Sequence, residues 1–188
     1  MNQIRYWFPK PYADQVAKLR VPFGFVLLVT FAWLSRPTPE SMAIGLPIGV
    51  IGMLIRGWAA GHLAKNEQLA VSGPFARIRN PLYVGTLIVA AGIVVACRDW
   101  ALAAIFAAVF LLVYLPVIEL EEQHLRKLFP EYGAYADRVY RLLPLRGWPG
   151  GGGRFSWKRY RKNEEYKALA GFILAVGWLI AKWSLWRV

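Results

Sequence analysis

The chain of 188 residues has one cysteine, Cys97, and two histidines. A single cysteine excludes an internal disulfide framework and a cysteine-rich metal site. His62 and His124 are 62 positions apart and sit in no HExxH-type spacing, so nothing points to a metal site. There is no P-loop, no GxGxxG and no Ser–His–Asp signature. The run "GGGG" at 150–153 follows no strand and opens no helix, so it reads as a linker rather than a phosphate cradle. Acidic residues are scarce: 11 Asp and Glu against 23 Lys and Arg, for a net charge of +12. These charges lie between apolar runs instead of forming a groove-binding patch, which excludes nucleic acid as the expected partner. The N-terminus is aromatic and proline-broken, unlike a signal peptide.

Apolar and aromatic residues are abundant. The chain is 57% hydrophobic, with nine Trp and nine Tyr, a composition suited to the membrane–water boundary. Five apolar segments stand out: Val21–Ser35, Met42–Gly61, Leu82–Cys97, Trp100–Ile118 and Ala168–Trp186. Backbone amides in lipid must be satisfied internally, so these segments are expected to be helices. The fold expected is all-α, a polytopic membrane bundle of about five transmembrane helices. With the N-terminus in the cytoplasm, 18 Lys and Arg fall on the cytoplasmic side and 4 on the other. This bias predicts a cytoplasmic N-terminus in the inner or cytoplasmic membrane, with any site facing the cytosol. Residues 1–145 read as the core, 146–167 as a Gly-rich and basic linker, and 168–188 as an added C-terminal helix. The basic, aromatic stretch before that helix reads as a surface anchor on anionic lipid.

Four features carry charge where chemistry is possible. Arg56 lies about 9 Å inside the second segment, where it either snorkels or faces the bundle interior. In "SGPFARIRNPLYVG", Ser72-Gly73-Pro74 is a turn, and Asn80-Pro81 is a helix start with Asn80 as N-cap. Such an N-terminus suits an anion, and Arg77 and Arg79 reinforce it. Glu119, Glu121 and Glu122 follow the fourth segment and suit a cation. Beyond them, Leu125, Leu128, Phe129, Tyr132 and Tyr135 predict an amphipathic lid on the membrane surface. Arg138 and Arg141 close this stretch, and by themselves read as surface charge. Together the arginines and carboxylates match a zwitterionic amino-acid group such as that of S-adenosylmethionine, whose sulfonium tyrosine faces attract.

The two blocks resemble the integral-membrane methyltransferases, the isoprenylcysteine carboxyl methyltransferases and phospholipid N-methyltransferases. The first block supplies Gly73, Arg79, Asn80, Pro81, Tyr83 and Gly85. The second supplies Glu121, Glu122, Leu125, Phe129, Tyr132, Tyr135, Val139 and Pro144. Asn80 stands where the family pattern has His or Asn. The resemblance implies S-adenosylmethionine as methyl donor and a lipid or prenylated acceptor entering from the membrane. It implies a cofactor pocket formed by Gly73, Arg79, Asn80, Pro81, Tyr83, Glu121 and Glu122. Glu122 and Arg138 are the residues it implies next to the reaction, with Arg138 facing the acceptor. Two rivals remain: a membrane reductase of the sterol-reductase type using NADPH, and a non-enzymatic membrane scaffold.

Overall fold

The computed structural model describes residues 7–149 and 152–185. The expected "GGGG" linker and the end of the last apolar segment therefore lie partly outside the described residues. All five apolar segments are helical. Helix α1 spans Lys10–Leu34, α2 Pro39–His62, α3 Pro81–Cys97, α4 Trp100–Val109, α5 Leu115–Leu128, α6 Tyr132–Arg138, α7 Trp157–Lys162 and α8 Glu165–Leu185. Three runs are long and apolar enough to cross a membrane: α2, the continuous Trp100–Leu128, and α8. The two halves of α1 make a fourth if they count as one span; they are bent by 53° between Leu19 and Val21, beside Pro22. The expected fifth span, α3, has 17 residues and rises only about 25 Å, less than a bilayer core. The chain is an integral membrane protein.

One end of the bundle collects the short connections. Arg36 N donates to Cys97 O at 2.8 Å, and Ser41 Oγ donates to Ala96 O at 2.8 Å. Thr38 and Ser41 form a reciprocal capping box at the start of α2, and Asp99 caps α4 through Ala101 and Leu102. Lys182 near the end of α8 donates to Ala32 O and Trp33 O at 2.8 Å, which satisfies the carbonyls at the end of α1. The opposite end carries the long polar segments, α5–α7 and the candidate site residues.

Helices α2 and α3 form the tightest pair. Gly45, Gly49 and Gly52 share one face of α2 and meet Gly85 and Gly92 of α3. A Cβ on Gly52 would lie 2.7 Å from Gly85 O and 2.6 Å from Val89 N, both backbone atoms that cannot swing aside. Gly52→Val is therefore expected to destabilise the protein by about 1–3 kcal/mol or more, as overpacking does. A thermal melt in detergent checks this; an unchanged midpoint would mean that the helices separate freely.

Pro116 leaves a trace in the fourth span. It has no N–H for the carbonyl four residues back, and that carbonyl, Leu112 O, instead accepts from the Tyr12 hydroxyl at 2.6 Å. The helix widens into a single π turn over Phe110–Tyr114 at the same place.

The C-terminal helix is more than the expected appendage. Glu165 is buried and pairs with Arg56 of α2 at 2.6 Å, and the Arg56 guanidinium also donates to the Thr86 hydroxyl. Of the two readings of Arg56, the bundle-facing one is found. The stretch before α8 is also attached: Ser156 N donates to Gly61 O at 3.0 Å, and Asn163 Nδ2 donates to Ala60 O and Leu63 O at 2.9 Å.

Candidate active site

The turn that the sequence placed at Ser72–Pro74 is one 3₁₀ turn, Gly73–Ala76. Gly73 has φ +58°, and a Cβ there would meet the His62 ring at 2.7 Å, so both its conformation and its space require glycine. His62 is buried, its Nδ1 2.9 Å from Trp58 O.

From this turn the chain runs through Arg77–Asn80 into α3. It pairs there with the segment after α6. Ile78 and Tyr140 form a parallel bridge, Arg79 N donates to Tyr140 O at 2.9 Å, and Asn80 N donates to Arg141 O at 3.2 Å. These bonds hold the two motif blocks side by side, although about 60 residues separate them.

Side chains complete the junction. Asn80 sits at the expected N-cap position and Pro81 at the first helical position, but the Asn80 side chain makes no cap bond. Its amide donates instead to Glu122 Oε1 at 3.0 Å. Glu122 Oε2 accepts from Arg141 Nη2 at 2.8 Å and Nε at 3.2 Å. Arg79 Nε lies 3.5 Å from Glu122 Oε1 as an ion pair, yet is buried with no hydrogen-bond partner among the described residues. Glu122 is buried, so this is one carboxylate held by two guanidiniums and an amide. The Arg141 guanidinium also stacks 4.9 Å over Trp7.

Next to this hub, Glu121 is exposed and accepts from the Tyr83 hydroxyl at 3.0 Å. The Tyr83 ring meets the Tyr114 ring edge to face at 6.2 Å, in the π turn. Glu119, the third carboxylate, is turned away: it accepts from Trp7 N at 2.7 Å and Phe8 N at 3.1 Å, and so secures the segment before α1.

The stretch after α5 differs from the membrane-surface lid expected of it. Helix α5 ends at Leu128, before Phe129-Pro130, and Tyr132 and Tyr135 turn inward. Tyr135 Oη donates to Phe75 O at 2.7 Å, and Trp148 N donates to Ala76 O at 2.8 Å, so α6 clamps the 3₁₀ turn. The aromatic residues at 129, 132 and 135 thus serve a small polar-side core rather than a lipid surface. Burial pushes the Tyr132 and Tyr135 phenols above their ordinary range, and the Glu122 charge adds to this for Tyr132. Tyr132 Oη is buried and has no hydrogen-bond partner among the described residues.

Of the expected site residues, Arg79, Asn80, Glu122, Tyr83 and Glu121 come together, with Pro81 buried at the helix start and Gly73 in the supporting turn. Arg138 does not join them. It is exposed, and its guanidinium lies 5.6 Å over the Trp148 ring. The arginine in the cluster is Arg141, three residues further on in the extended segment that follows α6. Arg77 is exposed and lies against Gly147. Trp7 and Tyr114 were not legible as site residues; an aromatic residue beside a lipid boundary has too many ordinary reasons to be there.

Residues 47–132 match the phospholipid methyltransferase family. The segment, short of half the chain, is membrane-methyltransferase-like, as the two motif blocks indicated. It includes Asn80, Tyr83, Glu121 and Glu122, and ends before Arg141, α7 and α8. The chain is 34% identical over 114 residues to the cobalt-zinc-cadmium resistance protein CzcN of Cupriavidus metallidurans, covering 60% of this chain and 51% of that protein. It is 32% identical over 114 residues to the nickel-cobalt-cadmium resistance protein NccN of Alcaligenes xylosoxydans xylosoxydans, covering 60% and 52%. The chain therefore spans about half the length of the curated relatives it matches. No solved structure matches it significantly. Among the described residues, no three His, Cys, Asp or Glu side chains are grouped to hold a metal ion.

Proposed function

We propose that the chain transfers a methyl group from S-adenosylmethionine to a membrane-embedded, lipid-like acceptor, an isoprenoid carboxylate or a phospholipid amine. The observation that carries this reading is the junction of the two motif blocks, Asn80 on Glu122 and Tyr83 on Glu121, within the family match. Two neighbouring surfaces of opposite sign support it. Arg79 and Arg141 outnumber the one carboxylate between them, and Arg79 Nε and Tyr132 Oη are buried donors without hydrogen-bond partners among the described residues. That side suits the carboxylate of an amino-acid group. Glu121, beside the Tyr83 and Tyr114 rings, suits its ammonium and a sulfonium.

When bound, S-adenosylmethionine supplies an electrophilic methyl group, and transfer is a direct displacement, so the protein's task is mainly to position two reactants. Both oxygens of Glu122 are engaged, which makes it a positioning residue rather than a proton acceptor. Arg141, rather than Arg138, is the arginine we place beside the reacting groups, where its planar fork orients a carboxylate or phosphate. An amine acceptor must lose a proton, and the exposed groups on that side of α5 are Glu121 and His124. The charge bias places this end in the cytosol, where the cofactor is.

Isothermal titration of the purified chain is expected to show binding of S-adenosylhomocysteine and none of NADPH. NADPH binding alone would favour the reductase, and binding of neither the scaffold. Glu121→Gln is expected to weaken S-adenosylhomocysteine by about 10- to 150-fold, the value of one charged hydrogen bond at roughly 1.5–3 kcal/mol, with the fold unchanged. Unaltered affinity would leave Glu121 as the solvated end of a helix.

A further inference from the structure

Outside the site, α7 carries the sequence "WKRYRK" immediately before the span α8. It bounds two adjoining hollows. One, of about 620 Å³, is lined by Trp157, Lys158 and Arg161. The other, of about 600 Å³, is lined by Trp157, Tyr160, Arg161, Tyr166 and Leu169. Every acidic group nearby is already engaged. Glu67 pairs with Lys162, Glu164 with Lys167, and Glu165 with Arg56. Among the described residues, the side chains of Lys158 and Arg161 have no ion pair. The hollows thus present two unneutralised cations on an aromatic floor.

That floor is held in place. The Trp157 ring meets Phe155 edge to face at 5.0 Å and Tyr160 at 5.6 Å, and Phe155 in turn meets His62 at 6.2 Å. With Ser156 and Asn163 bonded to the end of α2, the short helix has a fixed position. It is therefore not a loose basic tail.

We propose that these hollows bind one anionic phospholipid. Its phosphate lies between Lys158 and Arg161, with the glycerol region against Trp157 and Tyr160. The acyl chains run along Tyr166, Leu169 and Ile173, which share one face of α8 at three- and four-residue spacing. Position selects a lipid over other anions: the polar hollow opens onto the first turns of a membrane span, so head and tails of one molecule are met together. The site is independent of the methyl-transfer reading, because none of these residues belongs to the Glu122 cluster.

The test is native mass spectrometry of the detergent-purified full chain with phosphatidylglycerol or phosphatidylcholine added at equal concentration. The wild type is expected to retain one phosphatidylglycerol in preference to phosphatidylcholine, and to lose it as ionic strength rises. Lys158→Gln/Arg161→Gln is expected to weaken retention by about 10- to 30-fold, down to the phosphatidylcholine level. Lys167→Gln, whose side chain pairs with Glu164 away from both hollows, is expected to change nothing. Equal retention of the two lipids by the wild type, or undiminished phosphatidylglycerol on the double variant, would overturn the site. So would complete displacement by inorganic phosphate, since the ligand would then be the anion alone. The wild-type lipid comparison needs no variant to fold.

Discussion

Glu122→Ala is expected to cost about 3–5 kcal/mol of stability and to abolish ligand binding at the site. The reason is the charge left behind. Arg79 and Arg141 converge on this one carboxylate, and Asn80 uses it as its acceptor. Without it, two guanidiniums face each other in a largely buried place, each short of a partner. The backbone pairing of residues 78–80 with 140–141 would be strained by their repulsion, although its hydrogen bonds do not involve Glu122 directly. Glu122→Gln separates the effects. It keeps an acceptor for Asn80 but removes the negative charge, and is expected to fall between alanine and wild type. Thermal unfolding in detergent, followed by circular dichroism, measures both. If Glu122→Ala melts like the wild type, the cluster forms without contributing, and the reading of Glu122 as the hub fails.

A second large effect is expected at the pair that joins α2 to α8. Arg56→Leu leaves Glu165 as an unpaired buried carboxylate, and Glu165→Leu leaves Arg56 within a membrane span, held among the described residues by Thr86 and Leu82 O. Each single variant is expected to lose about 3–5 kcal/mol, while Arg56→Leu/Glu165→Leu recovers most of it, because a buried pair can be replaced by apolar side chains at little cost. The sign of the coupling distinguishes this from simple side-chain removal, which would be additive. Additive losses would mean that the two charges reach water separately, and that α8 is held chiefly by Lys182 at its other end and by Phe172 against Gly49.

The relation between the two motif blocks shows what a chain of this kind reveals in advance. Asn80-Pro81 is visible as a helix start because proline has no N–H to lose at a first helical position and fits its φ there. What the Asn80 side chain does is not visible. A free helix end and a carboxylate 42 residues away compete for the same amide, and only their distance, 3.0 Å to Glu122, decides. The same holds for the three acids of the second block. They are one feature in sequence, and three in space: Glu119 secures the segment before α1, Glu121 meets Tyr83, and Glu122 binds arginines. A helix turns by about 100° per residue, so neighbours in sequence face different partners.

The C-terminal part is the least legible in sequence, for a related reason. A basic stretch followed by an apolar helix has the composition of a lipid anchor whether or not it touches the rest of the chain. Glycines at 49 and 61 and Arg56 give no hint in sequence that Phe172, Phe155 and Glu165 are what they receive.

The apolar helices, the membrane setting and the pairing of an arginine-bearing turn with a carboxylate-bearing helix are legible in the sequence, whereas the helix ends are not: α1 begins at Lys10 rather than Val21, and α5 runs on to Leu128 rather than stopping at Ile118. What is legible follows from local chemistry: apolar length, proline and glycine geometry, and the count of charges along the chain. Three outcomes come from the tertiary structure alone: Arg141 and not Arg138 completes the cluster, Glu121 is exposed beside Tyr83 while Glu122 is buried between arginines, and Arg56 faces a partner on the last helix. Those outcomes depend on which helix faces meet, and a periodic pattern defines a face without naming the face opposite. An ion pair acts over a few ångströms in space, whatever the distance along the chain.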